Sequence, residues 1–342
     1  MMRKIFLPFF IILMALSQDI GAANKKIYLI HWQIEGRTVL GETFINYLKS
    51  KYDNIDWIER FAEQDKKKMP GFIAEIRKIK PDLIYVYSTT GILELAGAHD
   101  KVDPAKHITD IPIIAVAHSA PVGSKIVKEI GVPTGRNVTG VGHYVPPRVT
   151  LNIMKEYTSP LKNISILISN EPNARATASD IKKLEAEMGF QSKAFFYKME
   201  GTKIAPGFIN EIVTQILKEK PDMIYLPSDG VTESNIQEII ASFVKHKDIH
   251  RAPIFTILEK MVRLEKTSTF GLFTSFNVMG LMAGLKAEEL LFKGKEITEI
   301  PYSIGSQMTL AIRKDTMNDL KTYPFISLLE TAEILKQKKD KK

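Results

Sequence analysis

Short, continuously apolar runs alternate with amphipathic stretches from residue 26 to residue 293. Leu83-Ile84-Tyr85-Val86-Tyr87 is one such run, with no polar interruption. A run this short is a strand, and one that is apolar on both faces is covered on both sides, as in a parallel sheet. The stretches between the runs repeat apolar residues three and four apart, the spacing of a helix with one buried face. Such alternation predicts βαβ units and a doubly wound sheet. Strands are expected near 26–31, 55–60, 82–87, 112–117 and 138–142, with helices near 38–51, 69–79, 90–98 and 121–130. A second set of strands is expected near 164–169, 190–197, 222–226, 253–257 and 270–274. A helix from Asn277 to Phe292, stopped by Lys293-Gly294, then leads to one or two strands over Met308 to Arg313 and a last helix from Phe325 to Leu335.

The pattern occurs twice. PGFIAEIRKIKPDLIYVYSTTG, residues 70–91, is echoed by PGFINEIVTQILKEKPDMIYLPSDG, residues 206–230. Each copy is a helix, a Lys-Pro-Asp break, a strand and a small polar turn ending in glycine. Lys26-Ile27-Tyr28-Leu29-Ile30-His31 is matched by Asn163-Ile164-Ser165-Ile166-Leu167-Ile168-Ser169, and Pro112-Ile113-Ile114 by Pro253-Ile254-Phe255. Two copies are too few for a solenoid and fit two similar lobes. The expected fold is therefore α/β: two Rossmann-like lobes with parallel sheets, joined by a hinge.

Composition adds limits. The chain has 342 residues, room for two domains. Arg3 and Lys4 precede an apolar run from Ile5 to Leu16 and small residues ending at Ala23, the layout of a signal peptide cleaved near Ala23. An uncleaved anchor is the alternative. The absence of cysteine excludes disulfides, thiol chemistry and a lipid anchor on a cysteine. A periplasmic location follows. The net charge of +8 is concentrated in the tail, 336–342, expected to be disordered, and in Lys66-Lys67-Lys68. No basic patch interleaved with aromatics suggests nucleic acid. No G-x-G-x-x-G, Walker loop or G-x-S-x-G elbow suggests an enzyme, and no cofactor is expected.

In open parallel sheets ligands bind beyond the carboxyl ends of the strands. There the sequence places Trp32, Ser88-Thr89-Thr90, His118-Ser119, Tyr144, Asn170, Asp229 and Phe276. Ser88, Thr89 and Thr90 put hydroxyls and amides at a helix N-terminus, suited to a carboxylate. Asp229, in the matching turn, suits an ammonium, so the pair fits a zwitterion. Each turn equally fits a plain N-cap, worth about 1 kcal/mol. Trp32, Ser119, Tyr144 and Phe276 are expected to complete the walls, with core or hinge packing as the alternative for the aromatics. His31, His118 and His143 fall at strand ends; with no clear carboxylate beside them, no metal is expected.

Pro133-Thr134-Gly135-Arg136-Asn137-Val138-Thr139-Gly140-Val141 resembles the P-x-G-x-N-V-T-G-V signature of a family of bacterial ABC-transporter substrate-binding proteins of the type I periplasmic binding fold, which includes tryptophan and tyrosine binders. The Asp229-Gly230-Val231-Thr232-Glu233-Ser234 turn and the Gly280…Ala287…Leu291…Gly294 helix are similar to family positions. The resemblance implies a monomer that captures a small polar, amino-acid-like solute, aromatic ones included, by hinge closure. It further implies delivery to an ABC permease in the inner membrane, without catalysis. Three crossings between lobes are implied, near Tyr144, residues 273–276 and Pro301. Lobe one is then 24–143 plus about 275–300, and lobe two 144–274 plus about 301–335. The family often has Thr-Asp-Pro where this chain has Ser119-Ala120-Pro121, so its usual ligand chemistry in lobe one is not carried over. A secreted two-lobe enzyme with its site in the same cleft, or a sensor ectodomain, is the alternative function.

Overall fold

The computed structural model describes residues 24–33, 36–264, 269–305 and 307–336. The expected leader and the tail beyond Lys336 lie outside them.

The first lobe is built on strands β1 (Lys25–His31), β2 (Ile55–Phe61), β3 (Leu83–Tyr87), β4 (Ile113–Val116) and β5 (Val138–Gly142). The second is built on β6 (Asn163–Ile168), β7 (Gln191–Phe196), a small hairpin β8 (Met199–Glu200) and β9 (Lys203–Ile204), β10 (Met223–Leu226), β11 (Ile254–Thr256) and β12 (Phe270–Thr274). The chain then adds β13 (Ser303–Ile304), β14 (Met308–Arg313) and β15 (Glu333–Leu335). The first sheet has the order β13-β5-β4-β3-β1-β2 and is parallel throughout. The second has the order β15-β14-β12-β11-β10-β6-β7; β14 runs antiparallel to β12, β15 runs parallel to β14, and the other pairs are parallel. The expected pair of Rossmann-like α/β lobes is present.

In each sheet the strand order reverses next to the strand that opens the lobe: between β1 and β3 in one, and between β6 and β10 in the other. At such a reversal the helices that follow the two strands go to opposite faces, leaving a crevice beyond the strand ends. Both crevices face the boundary between the lobes.

The helix Phe276–Leu291 packs against Val39–Lys49 in lobe one. Met279, Ala283 and Ala287 are fully buried in that lobe's core. A Cβ on Gly280 would lie 2.5 Å from the Leu40 carbonyl oxygen, so only glycine permits this approach. Glu288, one turn after Gly284, is tied to Tyr47, Tyr52, Lys51 and Lys293. Fully burying each large apolar side chain along this seam contributes about 1.5–3 kcal/mol.

Two expectations change. The helix near 121–130 is a series of turns: Pro121 begins the segment, and Lys125 sits at φ +60° in the left-handed region. The last helix is shorter, Ile326–Thr331, because Glu333–Leu335 finds an open edge on β14 and becomes a strand. Just after Pro301, Ser303 and Ile304 pair with Val141 and Gly142 of β5, and the Gly305 amide donates to the Gly142 carbonyl at 3.3 Å.

Candidate functional site

The two crevices meet in one cavity of about 350 Å³. Its walls come from the turns after the strands that flank each reversal and after their next neighbours in the sheets. Lobe one supplies Trp32 and Gln33 after β1, Gln64 after β2, Tyr87 to Thr90 after β3, and Ala117 after β4. Lobe two supplies Glu171 and Asn173 after β6, Ser228 to Gly230, Glu233 and Ser234 after β10, and Lys260 after β11.

On the lobe-one wall, Ser88 is the N-cap of the helix Thr89–Ala96, its hydroxyl accepting from the Gly91 amide at 3.0 Å. Ser88 adopts φ +95°, outside the ordinary regions for a residue with a side chain. That turn aims the first coil of the helix at the cavity, and the partial positive charge of a helix N-terminus faces it. The Trp32 and Tyr87 rings are nearly buried there. Burial holds the Tyr87 phenol protonated, its pKa well above the usual value.

The lobe-two wall carries the opposite sign. Asp229 caps the helix Gly230–Ser234 and is buried. Its Oδ1 accepts from the Thr232 amide at 2.7 Å, while Oδ2 accepts from the Thr232 hydroxyl at 2.7 Å and the Ser169 amide at 3.2 Å. Desolvation raises its pKa, against the pull of these hydrogen bonds. Glu171 lies alongside, its Oε2 accepting from the Gly230 amide at 3.4 Å. Burial, and then the charge of Asp229, push the Glu171 carboxyl up to about 7. Glu233 is also raised by burial, against the attraction of Lys260.

Hydrogen bonds cross between the walls. Gln64 Nε2 donates to the Ser234 hydroxyl at 2.9 Å and to the Gly230 carbonyl at 3.3 Å. The Ser119 hydroxyl donates to the Ser228 carbonyl at 3.2 Å. Asn173 Nδ2 donates within lobe two to that same carbonyl at 2.7 Å and across to Ser119 Oγ at 3.1 Å.

Of the residues expected from sequence, Trp32, Ser88, Thr89, Thr90 and Asp229 line the cavity. Both cap and wall apply to Ser88 and Asp229, so the two readings of those turns do not compete. Ser119 stands at the edge, bridging the lobes. Tyr144 faces a narrow recess beside Ser119 and not the main cavity. Asn170 is exposed, its side chain accepting from Arg175, because β6 ends at Ile168 and the turn sends the next residue, Glu171, inward. Phe276 packs edge-on against His143 at 5.4 Å and lies half-buried against the cores of both lobes.

Gln33, Gln64, Asn173, Glu233 and Lys260 were not singled out as ligand contacts. Gln33 directly follows an expected contact. The others lie a few residues past their strand ends, where alternation gives no signal. The three histidines do not converge. His31 meets Glu59 at 3.1 Å and stacks on Phe61. His118 meets the Tyr302 hydroxyl at 2.7 Å, and His143 contacts Phe276. Burial lowers His118 to about 3 and His143 to about 4, so both are neutral at ordinary pH. Among the described residues no group of three His, Asp or Glu is set to hold a metal.

The Asn-Val-Thr-Gly block does structural work away from the cavity. The Arg136 guanidinium donates to the Ala96 and Gly97 carbonyls at the end of helix Thr89–Ala96. Asn137 Nδ2 donates to the Ile111 carbonyl at 2.7 Å, and Thr139 Oγ1 to the Ile300 carbonyl at 3.0 Å. A Cβ on Gly140 would lie 1.8 Å from the Ala115 carbonyl oxygen.

Comparison with known proteins gives one family. A family model described as ABC transporter substrate binding protein matches residues 48–333. A tyrosine-binding protein of Clostridioides difficile (strain R20291) is 25% identical over 269 residues, 78% of this chain and 71% of that protein. The structure of an ABC domain in complex with L-Trp from Streptococcus pneumonia superposes with a TM-score of 0.75 at 22% identity, over 92% of this chain and 100% of the other. A ligand-free, open substrate-binding protein with adhesive properties from Clostridium difficile superposes with a TM-score of 0.63 at 20% identity, over the same shares.

Proposed function

The chain belongs to the ABC transporter substrate-binding protein family, and on that premise we propose that it captures an amino-acid-like solute in the cavity between its lobes and presents it to an ABC permease for import. One observation carries the reading: a helix N-terminus with hydroxyls on one wall faces carboxylates on the other. Such a pair of poles suits a molecule with a carboxylate at one end and an ammonium at the other. Ser88, Thr89 and Thr90 take the carboxylate; the Asp229–Glu171 pair takes the ammonium; Trp32 and Tyr87 flank it. The relatives that bind tyrosine and L-Trp support an amino acid as the class of solute.

Capture proceeds by rotation of the lobes about the three crossings. The bonds from Gln64 to Ser234 and from Ser119 to Ser228 support closure, since each joins a lobe-one side chain to lobe two. The mature chain starts at Asn24 in the periplasm and acts as a monomer without catalysis.

A thermal-shift screen of amino acids and amines tests the reading, because a ligand that binds only the folded protein raises its melting temperature. A hit should also reduce the radius of gyration in solution scattering. Absence of any stabilising solute, with no change in dimensions, would remove the reading. A mass of the exported protein that does not begin at Asn24 would remove the cleaved-leader part of it.

A further inference from the structure

The two walls do not balance. Glu171, Asp229 and Glu233 line the cavity, and Lys260 is the one basic side chain lining it among the described residues. The helix end at Ser88–Thr90 adds a second, partial positive pole, enough for one carboxylate. With the carboxylates ionised, a neutral zwitterion therefore leaves acidic charge unmatched in a partly dry space, which has to take up either protons or further cationic charge.

Two further observations point the same way. The Trp32 and Tyr87 rings stand in the wall, and aromatic faces attract ammonium and guanidinium groups. The Gln33 side-chain oxygen, also in the wall, is buried without a hydrogen-bond partner and accepts only from a donor. Apart from the two rings, no apolar side chain larger than that of alanine lines the cavity among the described residues. A bulky apolar solute group would find little to pack against.

We propose that the solute carries two cationic groups, as an amino acid with a basic side chain or a short diamine does, with one cationic group at Glu171, beside Asp229, and a second reaching Glu233. This deepens the reading of the cavity as an amino-acid-like solute site and rests on it. Glu171 and Glu233 contact the solute. Asp229, whose oxygens already accept three hydrogen bonds from its own lobe, is a positioning residue that adds its charge. The raised proton affinities of Glu171 and Glu233 accord with carboxylates waiting for a cation.

Calorimetry at pH 8 and low salt, with lysine, ornithine, arginine and putrescine against tyrosine, tryptophan and leucine, decides the matter. The four solutes with two cationic groups should bind at least tenfold more tightly than the neutral amino acids. Glu233→Gln should weaken the best of these four about tenfold while leaving any neutral amino acid within twofold, a split that simple damage to the fold would not give. Tighter binding of tyrosine, tryptophan or leucine than of all four solutes with two cationic groups would overturn the proposal and leave the solute-site reading standing. If none of the seven bound, the proposal and that reading would fall together. Uniform loss for all ligands in Glu233→Gln would also count against it, since the residue would then support the fold and not the second charge.

Discussion

Ser88 and Asp229 play the same part in the two lobes, each capping the helix that follows the strand beside the reversal of strand order, with the cap one residue further along in the second lobe. The backbone task is the same and the chemistry is opposite. Ser88 accepts one hydrogen bond, from the Gly91 amide, and leaves the helix end as a positive pole. Asp229 accepts three, from two groups of Thr232 and from the Ser169 amide, and places a carboxylate where the other lobe has a hydroxyl. A duplicated unit thus yields a two-signed cleft by changing one cap. The lobes also differ in what their carboxylates do to stability. Glu171 in lobe two is held above its ordinary pKa by burial, whereas Glu288 in lobe one is held down to about 2, first by the Tyr47 hydroxyl and then by Lys51, Tyr52 and Lys293.

The largest test of this contrast is at the caps. Loss of a cap alone costs about 1 kcal/mol, and Ser88→Ala should lose that much. Asp229→Ala also orphans buried donors on Thr232 and Ser169, so it should lose about 3 kcal/mol in guanidinium unfolding. The sequence, which shows only a capping position, suggests the smaller figure for both. Equal losses would mean that the bonds to Ser169 and to the Thr232 hydroxyl contribute nothing.

The next test concerns the seam of lobe one. Glu288→Gln removes a buried carboxylate from two tyrosines and two lysines, and should cost about 2 kcal/mol at pH 7. Its folded pKa of about 2 lies below the ordinary 4.5. The stabilisation is therefore present above pH 4.5 and disappears as pH falls toward 2. Urea titrations of wild type and variant should converge at pH 2; a constant gap would point to packing.

Glu171 has the reverse sign. Its folded pKa of about 7 lies above 4.5, so the stability it contributes is complete below pH 4.5 and is lost as pH rises through 7. The melting temperature of the unliganded protein should fall between pH 5 and pH 8, and Glu171→Gln should flatten that slope. Asp229 and Glu233 shift in the same direction, with Lys260 opposing at Glu233, so a residual slope is expected. An unchanged slope in Glu171→Gln would assign the whole effect to its neighbours.

The smallest effect is expected at Gln64. Gln64→Ala removes a half-exposed bridge between the lobes and should cost less than about 1 kcal/mol, read as a few-fold weaker solute binding with no change in unfolding of either lobe. Lower overall stability instead would make Gln64 part of a lobe and not a bridge.

The sequence alone determined the repeat, the alternation of strand and helix, and the placing of Trp32, Ser88, Thr89, Thr90 and Asp229 beyond strand ends. Those features are local: apolar runs, Lys-Pro-Asp breaks and capping residues act within a few positions of themselves. It also carried a family signature, and the tertiary structure gave that signature a meaning the letters lack. Arg136, Asn137 and Thr139 satisfy carbonyls of other segments, and Gly140 admits the Ala115 carbonyl.

Only tertiary structure decided which residue of the turn after β6 points inward, Glu171 and not Asn170. A turn gives no alternation from which a direction can be read. Only tertiary structure brought Gln64, Glu233 and Lys260 to one cavity, since each comes from a different loop and their meeting depends on how the sheets face each other. It likewise made a strand of Glu333–Leu335, because an open edge on β14 offers hydrogen bonds that the helical pattern of those residues does not reveal. Propensity and periodicity are properties of neighbours in sequence; charge balance in a cleft is a property of neighbours in space.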